Sequence, residues 1–195
     1  LTQLLPMGFG DSMLRFNGIG ERVTFGMYNN DTPTEKDKEE FFKIAKWAAE
    51  NGMTLTQHWQ PNFSIHHLLD VLERVNKEVP IAKLRWSIAH LNDATPDTLK
   101  RMHAMHVGWL VQNAFYFRGE AFLGQRGAEA ARNAPPLVSA LRLNLPMGAG
   151  TDAHRVMAPN PFASLQWMVD GKTLSGVAMR APEELPTRME ALRMY

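Results

Sequence analysis

The chain of 195 residues carries 21 basic and 20 acidic side chains, a net charge of +1, with 45% hydrophobic residues, 21% charged residues and no cysteine. That length and balance suit one globular domain with a substantial core, while the absence of thiols excludes disulfides and thiolate metal sites. The near-neutral charge, without a basic stripe interleaved with aromatics, argues against a nucleic-acid partner, and no run of about 18 apolar residues is present to span a membrane.

Leu1 to Gly10 lacks the charged start, apolar centre and cleavage site of a signal peptide, and a cytoplasmic location fits. Because the chain begins on Leu, it is expected to be an excerpted or processed piece with an upstream segment. The first extended candidate is Met13 to Phe16, entering a turn at Asn17-Gly18-Ile19-Gly20. A polar loop, Tyr28 to Pro33, precedes a helix that Thr34 can cap, with Asp37 as the partner three residues on. Phe41, Ile44, Ala45 and Ala48 lie along one face of it, and Gly52 suits its end. Met53 to Gln57 reads as a strand ending at His58. A helix over about Phe63 to Lys77 follows, striped by Ile65, Leu68, Leu69, Leu72 and Val75. Lys83 to Ala89 is the next strand, ending at His90. Pro96 opens a helix that runs to about Met105, and Val107 to Gln112 is another strand. A short helix at Leu137 to Leu143 leads to a glycine-rich strand, Pro146 to Thr151, ending at Asp152. Beyond Pro159 come a helix near Phe162 to Met168, a turn at Asp170-Gly171 and a helix from Thr187 to Tyr195. This alternation, with about five strands, predicts α/β architecture with a parallel sheet.

Three metal-competent side chains, His58, His90 and Asp152, each fall at the end of a separate predicted strand. In parallel α/β folds these ends line the active site. Imidazole and carboxylate are the usual ligands of a catalytic zinc, which activates water for attack near neutral pH. A carboxylate beside that water can take its proton and deliver it to a leaving group.

The segment HWQPNFSIHHLLDVLE, from His58, resembles the YtcJ-like amidohydrolases (amidohydrolase family 3), with Leu69, Asp70 and Glu73 at matching offsets. LRWSIAH (Leu84 to His90) resembles the family's sixth-strand ending, TPDTLKRMHAMHVGWLVQN its next helix and seventh strand, and GAGTDAH (Gly148 to His154) its eighth-strand motif. TRMEALRMY resembles the helix start that follows the barrel. The ordered set covers most of the chain. It implies strands four to eight of a TIM-like (β/α) barrel, with His58 and His90 as metal ligands. Asp152 would be the proton-transfer residue and a further ligand, and Glu21 in GIGERV the candidate bridging carboxylate. The implied cofactor is one or two divalent ions, zinc or similar. The implied reaction is hydrolysis of a C–N bond, amide or cyclic amide, in a small-molecule substrate. Trp59 and His154 are expected to line the substrate pocket, with Gln112 at the family's strand-end glutamine. Five strands cannot close such a barrel, so a missing N-terminal part of the same protein, or a second copy of the chain, is expected to cover the open edge.

The sequence departs from the family pattern in places. No His-x-His pair, which the superfamily carries on its first strand, occurs in the chain. Ala89 stands where a glutamate is usual, WQPN follows His58, and His154 occupies a place often held by proline. Two further readings therefore stay open: ester or phosphoester hydrolysis on the same fold, and a non-catalytic barrel remnant serving as a binding or assembly module. His66 and His67 read as surface residues, and His103 with His106 lacks a third ligand nearby. Gly148-x-Gly150 lacks the remainder of a dinucleotide fingerprint, and no nucleophile-elbow serine motif is present.

Overall fold

The computed structural model describes residues 5–195; residues 1–4, part of the N-terminal stretch read above, lie outside the described residues. The chain alternates strands β1 (Gly18–Glu21), β2 (Thr54–Trp59), β3 (Ser87–His90), β4 (Gly108–Gln112) and β5 (Met147–Gly150) with helices. These are α1 (Glu35–Glu50), α2 (Ile65–Glu78), α3 (Pro96–Ala104), α4 (Ala114–Arg132) and α5 (Leu137–Arg142), followed by α6 (Pro161–Asp170) and α7 (Arg188–Arg193). All neighbouring strands pair in parallel, in the order β1-β2-β3-β4-β5. A parallel sheet that follows chain order, each strand joined to the next through helix, is the arrangement of a segment of a (β/α) barrel. Among the described residues no helix is long and apolar enough to cross a membrane.

Local chemistry accounts for most boundaries. Thr34 and Asp37 form a complete capping box at the start of α1, and Thr187 and Glu190 form another at α7. Each satisfies backbone donors that a helix start leaves open. Phe41, Ala45 and Ala48 are buried as the spacing predicts, joined by Phe42 and Ala49, while Ile44 sits at the rim. All five apolar stripe residues of α2 are buried. On the outer face of that helix, Asp70 and Glu73 both receive Arg101 of α3, at 2.6 and 2.7 Å, so this matched pair of carboxylates clamps two helices.

Three expectations are corrected. The first strand is Gly18–Glu21, overlapping the stretch read as a turn at Asn17 to Gly20, whereas Met13 and Leu14 are exposed. Gly18 and Gly20 have φ of 140° and 144°, and a Cβ at either would run into the carbonyl oxygen of Thr54 or Thr56. Here glycine marks close strand approach. The third strand begins at Ser87 instead of Lys83, because Arg85 adopts a left-handed φ of 53°. Helix α4 was not anticipated: Gly119, Gly124 and Gly127 interrupt its pattern, and Gly127, at φ 82°, kinks it.

The core packs strand residues Leu55, Trp59, Ile88, Trp109 and Val111 with helix residues such as Phe41, Leu68, Leu72 and Leu99. On β2 the alternation is plain. Leu55, Gln57 and Trp59 share one face, and Thr56 and His58 the other.

Candidate metal centre

All five strands deliver a polar side chain from their C-terminal ends to one region. Glu21 ends β1, His58 lies at the end of β2, His90 ends β3, Gln112 ends β4, and Asp152 follows β5. Glu21, His58, Gln112 and Asp152 line a cavity of about 380 Å³ together with Tyr28 and Gln60.

Glu21 bridges the two histidines. Its Oε1 lies 3.1 Å from His58 Nδ1 and its Oε2 lies 3.2 Å from His90 Nε2. One ligand atom from each of the three residues falls within 4.8 Å of the others. The imidazole centroids lie 4.0 Å apart with the ring planes tilted by 51°, and both histidines are 5% exposed. Tyr28 covers the outer side of His58, ring to ring at 4.3 Å.

Strict alternation would turn His90 toward the core with Ile88. Instead His90 and Leu91 adopt left-handed φ values of 74° and 42°, which re-aim the imidazole toward Glu21. Two hydrogen bonds hold this unusual backbone in place: Trp109 Nε1 donates to the His90 carbonyl at 2.9 Å, and the Leu91 N–H donates to Trp59 O at 2.7 Å. Non-glycine residues persist in such conformations where the surroundings over-determine them, often at functional sites. Asp152 is likewise left-handed, at φ 54°, and its carbonyl receives the N–H groups of Arg155 and Val156.

The electrostatics suit cation binding. Burial pushes the Glu21 carboxyl up, but the hydrogen bond from His58 and the attraction of both imidazoles outweigh it, so its pKa lies below the ordinary value and the group is an anion. Burial and the neighbouring His90 lower the His58 pKa against the opposing pull of Glu21, favouring the neutral imidazole that metals require.

The donor set fits a divalent ion on geometry as well. His90 Nδ1–H donates to Gln112 Oε1 at 3.2 Å, while Nε2 faces the Glu21 carboxylate. Both ring nitrogens thus face acceptors. A neutral imidazole has one N–H, so with Gln112 Oε1 holding it on Nδ1, Nε2 is the nitrogen left to meet an ion beside the carboxylate. Two histidines and a carboxylate are a common catalytic zinc set.

The expected site residues divide. Glu21, His58 and His90 come together, and Gln112 touches His90 as well as lining the cavity. Asp152 lines the same cavity without joining the three-residue cluster. Trp59, expected at the pocket wall, is instead fully buried in the core, with Nε1 donating to Ser64 Oγ at 3.2 Å. One step beyond His58 on a strand, its side chain must emerge on the opposite face. His154 is exposed and does not line the cavity; Arg155 and Val156 do. Sequence reasoning missed Asn29, which contacts His58 at 3.1 Å, along with Tyr28, Gln60, Phe117 and Arg118. The first three lie in or beside polar loops, which carry no periodicity, and the last two lie on the unanticipated α4.

Comparison with known proteins gives a consistent picture. The model of the amidohydrolase family matches residues 7–195. An uncharacterized metal-dependent hydrolase from Pyrococcus furiosus superposes with a TM-score of 0.71 at 21% identity, over 100% of this chain and 41% of its own. A second, from Pyrococcus horikoshii OT3, superposes with a TM-score of 0.66 at 20% identity, over 81% of this chain and 31% of its own. At such identities the likeness is one of fold, and the chain spans less than half the length of either structure. No curated protein matches the chain.

Proposed function

Since the chain belongs to amidohydrolase family 3, we propose that the complete protein is a metal-dependent hydrolase of C–N bonds, of the amide or cyclic amide type. The observation that carries this reading is the Glu21–His58–His90 cluster, with both His90 nitrogens facing acceptors. Those three side chains would hold the ion, zinc being the ordinary choice for two imidazoles and a carboxylate. When bound, such an ion supplies Lewis acidity and lowers the pKa of water toward neutrality.

The chain's own residues supply the rest. Glu21, spanning both imidazoles, fixes their separation. Gln112 orients His90 from behind, as outer carbonyl partners of ligand histidines do. Asp152, on the same cavity wall, would accept the proton of the attacking water and return it to the departing nitrogen. Arg118 and Arg155 also line the cavity and suit a small-molecule substrate bearing an anionic or carbonyl group. The β1 and β5 edges would pair with further strands of the same protein, closing the barrel; the share of the related structures that this chain spans supports that reading.

The test is metal content by mass spectrometry on the complete protein, wild type beside His58→Ala and His90→Ala, followed by a panel of amides, esters and phosphoesters. About one or two equivalents of ion, lost in both variants, with turnover of amides, supports the proposal. A wild type that retains no ion after supplementation overturns it in favour of a binding or assembly role. Turnover of esters or phosphoesters alone moves the reaction to another bond.

A further inference from the structure

Asn29, in the loop that follows β1, occupies the left-handed region at φ 47°, which asparagine tolerates better than most residues. Its Oδ1 accepts the backbone N–H of Gln60 at 2.7 Å. A backbone N–H can only donate, so this contact fixes which way round the amide sits. The other end, Nδ2, lies 3.1 Å from His58 Nε2 and must donate to it. Nε2 is therefore the bare nitrogen of the ring. The single proton of the neutral imidazole then belongs on Nδ1, where it points at Glu21 Oε1, 3.1 Å away. We propose that Asn29 is a positioning residue of the centre, holding His58 in the Nδ1–H tautomer and so setting how readily that side of the centre takes an ion.

The two histidines differ in this respect. Gln112 Oε1 holds a proton on the far nitrogen of His90 and leaves the nitrogen facing Glu21 free of one. Asn29 does the opposite at His58. On the reading that Glu21, His58 and His90 hold the ion, an ion taken by Nδ1 displaces the proton there. A neutral ring then carries its proton on Nε2, face to face with the Nδ2 donor of Asn29. Either the amide turns over and deprives the Gln60 N–H of its acceptor, or the contact with His58 breaks. Uptake at His58 is thereby coupled to Gln60, which lines the cavity. An aspartate at position 29 removes the conflict. One carboxylate oxygen still accepts from Gln60, and the other accepts from Nε2–H, the carboxylate–histidine pairing that strengthens imidazole ligands.

The experiment uses the complete, ion-free protein labelled with ¹⁵N-histidine, with the His58 signal identified by its loss in His58→Gln. The wild type is expected to show Nε2 as the unprotonated nitrogen, and Asn29→Ala to lose that preference. Asn29→Asp is expected to bind zinc on the order of tenfold more tightly than wild type. A proton on Nε2 in the ion-free wild type, or zinc affinity in Asn29→Asp equal to or weaker than wild type, overturns the proposal. Complete absence of zinc binding in both proteins would refute the metal-centre reading, while the ring signal would still decide the tautomer.

Discussion

Gln112 Oε1 accepts the Nδ1–H of His90 at 3.2 Å and leaves the opposite ring nitrogen aimed at Glu21. A neighbour that fixes a ligand's tautomer is worth about 10- to 100-fold in metal affinity. Gln112→Leu is therefore expected to weaken zinc binding by that order, measured by competition with a chromophoric chelator. Unchanged affinity would reduce Gln112 to a wall residue.

Asp152 shares the cavity but stands outside the three-residue cluster. Asp152→Asn keeps the shape and removes the proton acceptor. Turnover should fall on the order of 10²- to 10⁴-fold, with metal content unchanged. Loss of metal in parallel would make Asp152 a ligand, and full activity would remove it from the proton path.

Trp59 follows His58 in the chain and points the other way, fully buried, with its indole N–H bonded to Ser64. Trp59→Ala should cost about 3–5 kcal/mol of stability, read as a lower denaturant midpoint. Were Trp59 a pocket residue, the same change would alter substrate binding and leave the midpoint in place.

At the start of α1, hydrogen bonds from the Thr34 side chain and backbone hold the Asp37 carboxyl below its ordinary value of 3.8. A depressed carboxyl contributes stability above the unfolded value, and that contribution is lost as pH falls through the folded one. Chemical denaturation of wild type and Asp37→Asn at about pH 5 and about pH 3 should show the gap between them narrowing at the lower pH. A constant gap would mean that the capping carboxylate adds nothing pH-dependent.

Much of this architecture could be read from residue order. The capping residues Thr34 and Thr187, the α2 stripe, and the placement of His58, His90 and Asp152 at or just past strand ends all follow from local rules of period and capping. What escaped was non-local. Gly18 and Gly20 resemble a turn until Thr54 and Thr56 are seen pressed against them. Helix α4 hides behind its glycines, which interrupt the helical pattern, and only Ala114, Phe115, Gly119 and Ala131 along it are buried. Asn29 reaches the site through one loop conformation and one backbone N–H 31 residues away, and no spacing rule encodes that.

The sequential order of the strands also bears on how the centre comes into being. Glu21 meets a histidine 37 residues on and another 69 residues on, and β2, between the two, already carries the first of them. The longer closure can thus follow the shorter, each step adding one strand to an existing edge, so the entropy of joining distant segments is met in instalments. On the reading that Glu21, His58 and His90 hold the ion, the ligand set is complete only once β3 docks. A spectroscopic ion such as cobalt, added during refolding, would then time that docking event separately from the packing of the helices beyond it.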